Sequence, residues 1–390
     1  MSVDVKKMEL TDNDIEKINK IQKSLDNLKN KHNKFLFVMP DVKTPNASMY
    51  EIYFHATIVK KMGYHVLILT DNVEYEIPKW VDKELTEFEH IPMSDNKLSV
   101  SPEDIMVIPE IYSNVMEQTK DLPCLRIGLL QSVDYMMNAL IPGMDWSRFN
   151  VRDIITTSKE VRNLMNTYFV NKFNIKIYNP GIPDYFKSND KPKKPIISII
   201  GRNPNEISKV VKLFYAKYPQ YSWVTFDPML TKSKPPQPMR RKDFAERLKE
   251  NFAAVWVDRI SSFGTFPLEC MKSGVIPISL KPDITPEYLY IRDEKTDEPT
   301  GYKENSGVWT EDFYDIPNLI GEVLIKYLDD TIGDDLYQGM SEISNEYSQE
   351  NAEKNLIDIY TSYIVDRERM FENALPKINE KEEEKVIENK

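Results

Sequence analysis

Cysteine and histidine are scarce. The 390-residue chain has two cysteines, Cys124 and Cys270, and four histidines, His32, His55, His65 and His90. Both cysteines lie inside apolar stretches, so a disulfide framework is excluded and a reducing compartment is expected. No spacing among these residues suits zinc. No uncharged apolar run approaches the roughly 18–20 residues that a membrane span needs, and the start MSVDVKKMELTDND lacks a secretory apolar core. Those absences point to a cytoplasmic protein without a membrane span. Basic residues are outnumbered, 51 to 62, for a formal net charge of -11. That balance argues against general nucleic-acid binding, whose affinity comes mainly from neutralised phosphates, but leaves room for a local basic groove. Glycine is also sparse, with 12 residues, about 3% against the usual roughly 7%, so each one invites a reason.

What is present alternates. A charged helix is predicted from Leu10 to Lys31, capped by Thr11 or Asp12 and striped by Ile18, Ile21, Leu25 and Leu28, too short a repeat for a coiled coil. Asp12-Asn13-Asp14 mimics a metal-binding carboxylate pair, but it sits at this helix start before any strand and reads as a cap. From Lys34 the rhythm becomes strand, loop, helix, strand: KFLFVMPD, a helix striped by Met49, Ile52, Tyr53, Ala56, Val59 and Met62, then HVLILTD. It recurs in DIMVIPE, CLRIGLLQS and DIITTS, the last feeding a helix with Val161, Leu164, Met165 and Tyr168. After the linker-like KSNDKPKK (187–194), PIISIIGR, a helix with Val210, Leu213 and Phe214, SWVTF, AAVWV and VIPIS repeat the pattern. Buried strands joined by helices give an α/β class with two Rossmann-like domains, their parallel sheets facing across a cleft. The expected boundaries are 1–32 for a helical extension, 33–186 and 187–349 for the two domains, and 373–390 for a charged tail. A helix at 350–372 carries Leu356, Ile359, Tyr360, Tyr363 and Ile364 on one face.

The richest segment for chemistry is AAVWVDRISSFGTFPLECMKSGVIPIS (253–279). It reads as a strand, a loop Ser261-Ser262-Phe263-Gly264-Thr265, a helix opening near Phe266 or Pro267 with Glu269 in its first turn, and Gly274 before the next strand. Free amides at a helix start suit a diphosphate, and Glu269 suits ribose hydroxyls. Proline at a helix start and glycine at its end are equally ordinary caps. Glu110 ends a parallel strand on the cleft side, as an acceptor-binding or base residue or as a cap for the next helix. His55 lies on the early helix, facing either the cleft or solvent. The stretch TKSKPPQPMRRK (231–242) carries Lys232, Lys234, Arg240, Arg241 and Lys242 with no acid. It suits a phosphate-bearing acceptor such as DNA, or is a solvated proline-rich loop.

Over residues 34–365, in order and spacing, the chain resembles the retaining group-1 (family 4) glycosyltransferases of GT-B fold. Ser262-Phe263-Gly264, Leu268-Glu269-Cys270-Met271 and Gly274-Val275-Ile276-Pro277-Ile278 match most of their donor signature, except that Ser261 stands where the family has a sugar-contacting Glu. Gly201-Arg202 is similar to the family's opening of the donor domain, with Lys209 farther along than the usual lysine. Asn179-Pro180-Gly181 takes the place of its Asn-Gly turn. Gln131 and Ser132 occupy the neighbourhood where relatives often carry a histidine near the donor sugar.

The resemblance implies transfer of a sugar from a nucleotide-sugar donor to an acceptor hydroxyl with retention, without a metal or other cofactor, and a final helix crossing back to the first domain. Arg202 and Lys209 would neutralise the diphosphate and Glu269 would hold the ribose. Gly201 and the Ser261, Ser262, Phe263, Gly264 and Thr265 segment would bind the donor. Gln131, Ser132, Glu110 and His55 are the sugar or acceptor candidates. The acceptor is a glycan, lipid or protein, or a hydroxymethylated DNA base as in viral DNA modification, which would place the protein in a host cytoplasm; a homodimer is an open alternative to a monomer. Loss of the family carboxylate at Ser261 motivates a rival, a catalytically silent GT-B domain acting as a binding or partner subunit.

Overall fold

The computed structural model describes residues 34–42, 46–85, 87–95, 98–169, 173–189, 192–227 and 239–374. The predicted amino-terminal helix with Asp12-Asn13-Asp14, Lys232, Lys234 and the tail beyond 374 lie outside the described residues.

The first domain is built on β1 (Lys34–Met39), whose run KFLFVM is buried on both faces. Asn46 caps the following helix α1 (Ala47–Lys61), its side chain accepting from the Ser48 amide at 2.8 Å. The helix carries Lys60 and Lys61 in its last turn, where their charge suits the carbonyl end. Gly63, at φ +92°, turns the chain into β2 (His65–Thr70). β3 (Glu89–Pro92), β4 (Ile105–Pro109), α2 (Ser113–Gln118), β5 (Leu125–Leu130), α3 (Val133–Ala139), β6 (Asp153–Thr156), α4 (Lys159–Phe169) and β7 (Asn174–Ile177) complete a seven-stranded parallel sheet in the order β3-β2-β1-β4-β5-β6-β7. Alternate residues serve opposite faces. Phe35, Phe37, Ile68 and Val107 pack under α1, while Leu36, Val38, Leu69 and Ile108 pack with Val115, Trp146 and Val161.

The second domain comprises β8 (Lys194–Gly201), α5 (Pro204–Lys217), β9 (Thr225–Asp227), α6 (Arg241–Leu248), β10 (Asn251–Val257), α7 (Thr265–Lys272), β11 (Ile276–Leu280), an antiparallel hairpin β12 (Tyr290–Arg292) and β13 (Pro299–Tyr302), β14 (Val308–Thr310), α8 (Ile316–Leu328) and α9 (Asp334–Glu346). Its parallel sheet has the order β14-β11-β10-β8-β9. Strands β3, β7 and β14 and the hairpin were not read from the sequence. They are three or four residues long, and none of their residues is fully buried, so they lack the apolar runs that mark β1 or β10. The stripe on α4 also departs from expectation: Val161 and Met165 are buried, but Tyr168 is 71% exposed.

The chain returns to the first domain through Ser348, bridged to Ile182, and continues as α10 (Gln349–Ala374). Leu356, Ile359, Tyr360, Tyr363 and Ile364 are buried against β1 and α1, with the Tyr360 ring edge-on to Phe35 and its hydroxyl 2.9 Å from His55 Nδ1. α10 is therefore a structural member of the first domain, although its sequence follows the second. Truncating its central anchor, Tyr360→Ala, should destabilise the first domain by about 3–5 kcal/mol. Hydrogen exchange should then show β1 and α1 amides losing protection ahead of those in β10.

Candidate active site

Both sheets present their carboxyl ends to the cleft, and the loops leaving those ends carry its polar groups. The loop after β10 meets the loop after β5. The Val133 amide donates to Ser262 Oγ at 3.1 Å, and Ser132 Oγ donates to the Ile260 carbonyl at 3.4 Å. Ser262 is thus buried as a bridge between domains, a role its motif did not announce. Phe263 packs edge-on to Tyr288 and Tyr347. Gly264 follows at φ +76° and caps α7, and a Cβ there would lie 2.7 Å from the Trp256 ring. Ser261 is partly exposed beside this turn, and Thr265 opens the helix. Glu269, expected in the first turn, falls in the second, because the helix begins at Thr265 rather than at Phe266 or Pro267.

Between the domains lies a cavity of about 190 Å³. Thr265, Phe266 and Glu269 line it with Ile200, Met239, Arg241 and Phe244 of the second domain and Asn46, Ala47, Tyr50 and Trp80 of the first. Arg241 belongs to the basic stretch read either as a contact to a phosphate-bearing acceptor such as DNA or as a solvated loop, and the structure corrects both readings for this side chain. Its guanidinium points inward, donating through Nη2 (2.6 Å) and Nε (3.1 Å) to Glu269 Oε1 and stacking 3.8 Å from the centre of the Tyr50 ring. Its Nη1 is buried without a partner among the described residues. Lys242 pairs with Glu84 at 3.3 Å, and Arg240 is exposed. Burial raises the Glu269 carboxyl, with Arg241 opposing. Behind Tyr50, burial pushes Glu51 up to about 7 against the pull of Arg241 and the 2.6 Å hydrogen bond donated by the Tyr178 hydroxyl.

A second polar group lies beside the bridge of the two loops. Glu110, 2% exposed at the end of β4, accepts from the backbone amides of Gln131 and Ser132, and its Oε2 has no partner among the described residues. Burial pushes this carboxyl up to about 7, with those amides and Arg202 opposing. Gln131 donates Nε2 to the Ser48 carbonyl at 3.2 Å and leaves Oε1 buried and unpartnered. Arg202, at the end of β8, bonds Asp258 through Nε at 2.8 Å and the Tyr135 hydroxyl through Nη1. Gly201 precedes it, its backbone tight against the Val257 carbonyl. Lys209 is exposed on α5 and lines neither group. His55 does not face the cleft or solvent: it is fully buried between the rings of Tyr178 and Tyr360, because α1 is covered by α10 on one side and the sheet on the other.

No protein-family profile matches the sequence, and no curated protein matches it either. Solved structures do match. A sucrose-phosphate synthase from Thermosynechococcus elongatus superposes with TM-score 0.57 at 11% identity over 86% of this chain and 100% of that one. The pneumococcal O-GlcNAc transferase GtfA, in complex with UDP and GlcNAc, gives 0.60 at 9% identity over 86% and 99%. An alpha-glucosyltransferase in complex with UDP and a 13-mer DNA containing an HMU base gives 0.53 at 13% identity over 84% and 99%. The chain has the GT-B fold. In the GT-B cleft, the expected donor-side residues Ser262, Phe263, Gly264, Thr265 and Glu269 share one turn-and-helix unit, and Glu110, Gln131 and Ser132 converge opposite it. Arg202 stands nearer the second set, whose carboxylate it pulls on, than the lined cavity. Among the described residues no helix is long and apolar enough to cross a membrane.

Two consequences are measurable. Gly264→Ala forces a Cβ into Trp256 at a left-handed backbone position and should cost about 1–3 kcal/mol in thermal or denaturant unfolding. Glu51 is held in its protonated form above the usual carboxylate range, so the stability it contributes is complete below about pH 4.3 and is lost as pH rises through about 7. Glu51→Gln should therefore match the parent near pH 4.5 and exceed it by about 3 kcal/mol at pH 8 in urea titrations.

Proposed function

We propose that the protein is a nucleotide-sugar-dependent glycosyltransferase, with the donor bound against the second domain and the acceptor entering from the first. The observation that carries this reading is the cavity between the sheets. Aromatic walls at Tyr50, Trp80, Phe244 and Phe266, the Glu269 carboxylate and the start of α7 line one space, on a GT-B fold. Flat apolar walls suit a nucleobase, a carboxylate with one oxygen left unpaired by Arg241 suits ribose hydroxyls, and helix amides behind Gly264 suit a diphosphate. Arg202 supplies positive charge where the leaving phosphate gathers negative charge, and Lys209 adds to the field from α5. Transfer with retention and without a metal is consistent with that arrangement, since the leaving phosphate itself can accept the acceptor's proton.

The acceptor remains the distinguishing variable. The first domain's loops after β1 and β2 expose Asp41, Asp71, Glu74 and Glu76, which repels a polyanion, and Arg241 is committed to the cavity. A glycan, lipid or protein hydroxyl therefore fits this edge better than a hydroxymethylated DNA base, which would have to approach along Arg240 and Lys242. A panel of UDP and GDP sugars, read by nucleotide release and by heat stabilisation, tests the donor, and glycan, lipid and hydroxymethylated-DNA acceptors test the rest. Arg202→Ala should lower turnover about 100-fold or more with modest loss of binding, and Glu269→Ala should weaken donor binding. Binding without release or transfer would identify the silent partner-subunit reading, and absence of both would remove the nucleotide-sugar reading altogether.

A further inference from the structure

We infer that Glu110 and Gln131 form the hydroxyl-binding subsite for the transferred sugar and select a neutral sugar over a uronic acid. The inference rests on the nucleotide-sugar reading above; both residues were already sugar or acceptor candidates, and what it adds is their joint role and the substrate class they select.

Two buried oxygens, Glu110 Oε2 and Gln131 Oε1, have no partner among the described residues. They come from the ends of neighbouring strands β4 and β5 and stand next to each other in the chain of contacts, since the Gln131 amide itself donates to the Glu110 carboxylate. Neither oxygen is free by accident of rotamer. The Gln131 side chain is oriented by its Nε2 donation to the Ser48 carbonyl, which leaves Oε1 as the open atom. The Glu110 carboxylate is anchored by the backbone amides of Gln131 and Ser132. Leaving such acceptors buried and unmade is costly unless a ligand completes them.

The position is equally specific. Ser132 and Val133, the residues immediately after Gln131, bond the Ile260–Ser262 loop that leads into Gly264 and α7. A diphosphate at the start of α7 therefore delivers its sugar to this pair. On the donor side, the carboxylate of that loop is Asp258, which is engaged by Arg202 and by the Ile260 amide. The acceptor oxygens open to a sugar here thus come from the first domain. Once Glu110 is ionised, above about pH 7, a site made of a carboxylate and an amide carbonyl accepts hydrogen bonds and donates none. It matches hydroxyls, and it repels a sugar carboxylate, which brings only acceptors and like charge.

The test is calorimetric titration at about pH 8.5, where Glu110 is ionised, of UDP, GDP, UDP-glucose, UDP-N-acetylglucosamine, GDP-mannose and UDP-glucuronate into the wild-type protein, Glu110→Gln and Gln131→Leu. The expected result is wild-type preference for a neutral nucleotide sugar over UDP-glucuronate. In each variant the neutral sugar should lose roughly 10- to 100-fold in affinity while the matching free diphosphate binds as before; that unchanged diphosphate binding also shows that the variants are folded. If the diphosphate binds but both variants leave the sugar's contribution unchanged, or weaken diphosphate and sugar alike, the subsite is wrong and the nucleotide-sugar reading stands. Preference for UDP-glucuronate overturns the subsite in the same way. If no nucleotide binds the wild type, both readings fall together.

Discussion

A guanidinium held largely out of water between two domains is the constraint on which the cleft depends. Arg241 heads α6 in the second domain, with its side chain 13% exposed, and burying such a charge is costly unless an anion and shaped contacts receive it. Glu269 supplies the anion from α7, and Tyr50 supplies a ring face from α1 across the cleft. Neither domain holds Arg241 alone. The next residue of α1, Glu51, turns to the Tyr178 hydroxyl, and one turn later His55 bonds Tyr360 of α10. A continuous set of contacts thus runs from the Glu269 carboxylate through α1 to the helix that returns from the second domain.

The other end of α7 is fixed in the same spirit. Lys272 Nζ donates to the Ile182 carbonyl and to Asp184 Oδ1, both at 2.8 Å, and Ser273 Oγ donates to the Phe186 carbonyl at 3.0 Å. These partners belong to the segment that joins the two domains, so the helix carrying Glu269 is tied to the connection as well as to the cleft. A third tie joins the hairpin side: Glu287 Oε2 accepts from the Lys159 amide at 2.7 Å at the start of α4. The cleft groups are positioned by contacts that cross the domain boundary, which is why their geometry follows the relation between the domains.

What could be read from the sequence follows from what kind of signal each feature leaves. β1, β2, β4, β5, β10 and β11 are buried on both faces and spell apolar runs, as does β8, buried at its centre, so their existence and the parallel α/β class were legible. The short edge strands β3, β7 and β14 are half-buried and leave no such run. In the candidate site, the turn at Ser262-Phe263-Gly264 ahead of the helix that carries Glu269 was legible as local structure, because a left-handed turn ahead of a helix restricts residue choice locally. Arg241 was misplaced because a basic run reads as a solvated face, and only the tertiary position of Glu269 and Tyr50 turns that one side chain inward. His55 failed for the converse reason: α1 is buried on nearly every side, so its stripe could not show which face met the cleft. Glu110 was readable as a strand-end carboxylate, whereas its open oxygen depends on amides of the next strand's loop.

The unpartnered atoms also say something about energy. Arg241 Nη1, Glu110 Oε2 and Gln131 Oε1 are all cleft groups that bury polar surface without completing it. Each leaves a desolvation cost of about 1–3 kcal/mol, more for the charged groups. A ligand with matching donors and acceptors would recover that cost on binding. The same groups that lower the stability of the folded protein would then raise the stabilisation that such a ligand confers, since whatever binds only the folded state shifts unfolding by its own binding free energy. Glu51 differs in this respect. Its carboxylate is already bonded to Tyr178 and lies behind Tyr50, so its burial serves the ties of α1, and its protonation bears on how firmly the two domains are held together.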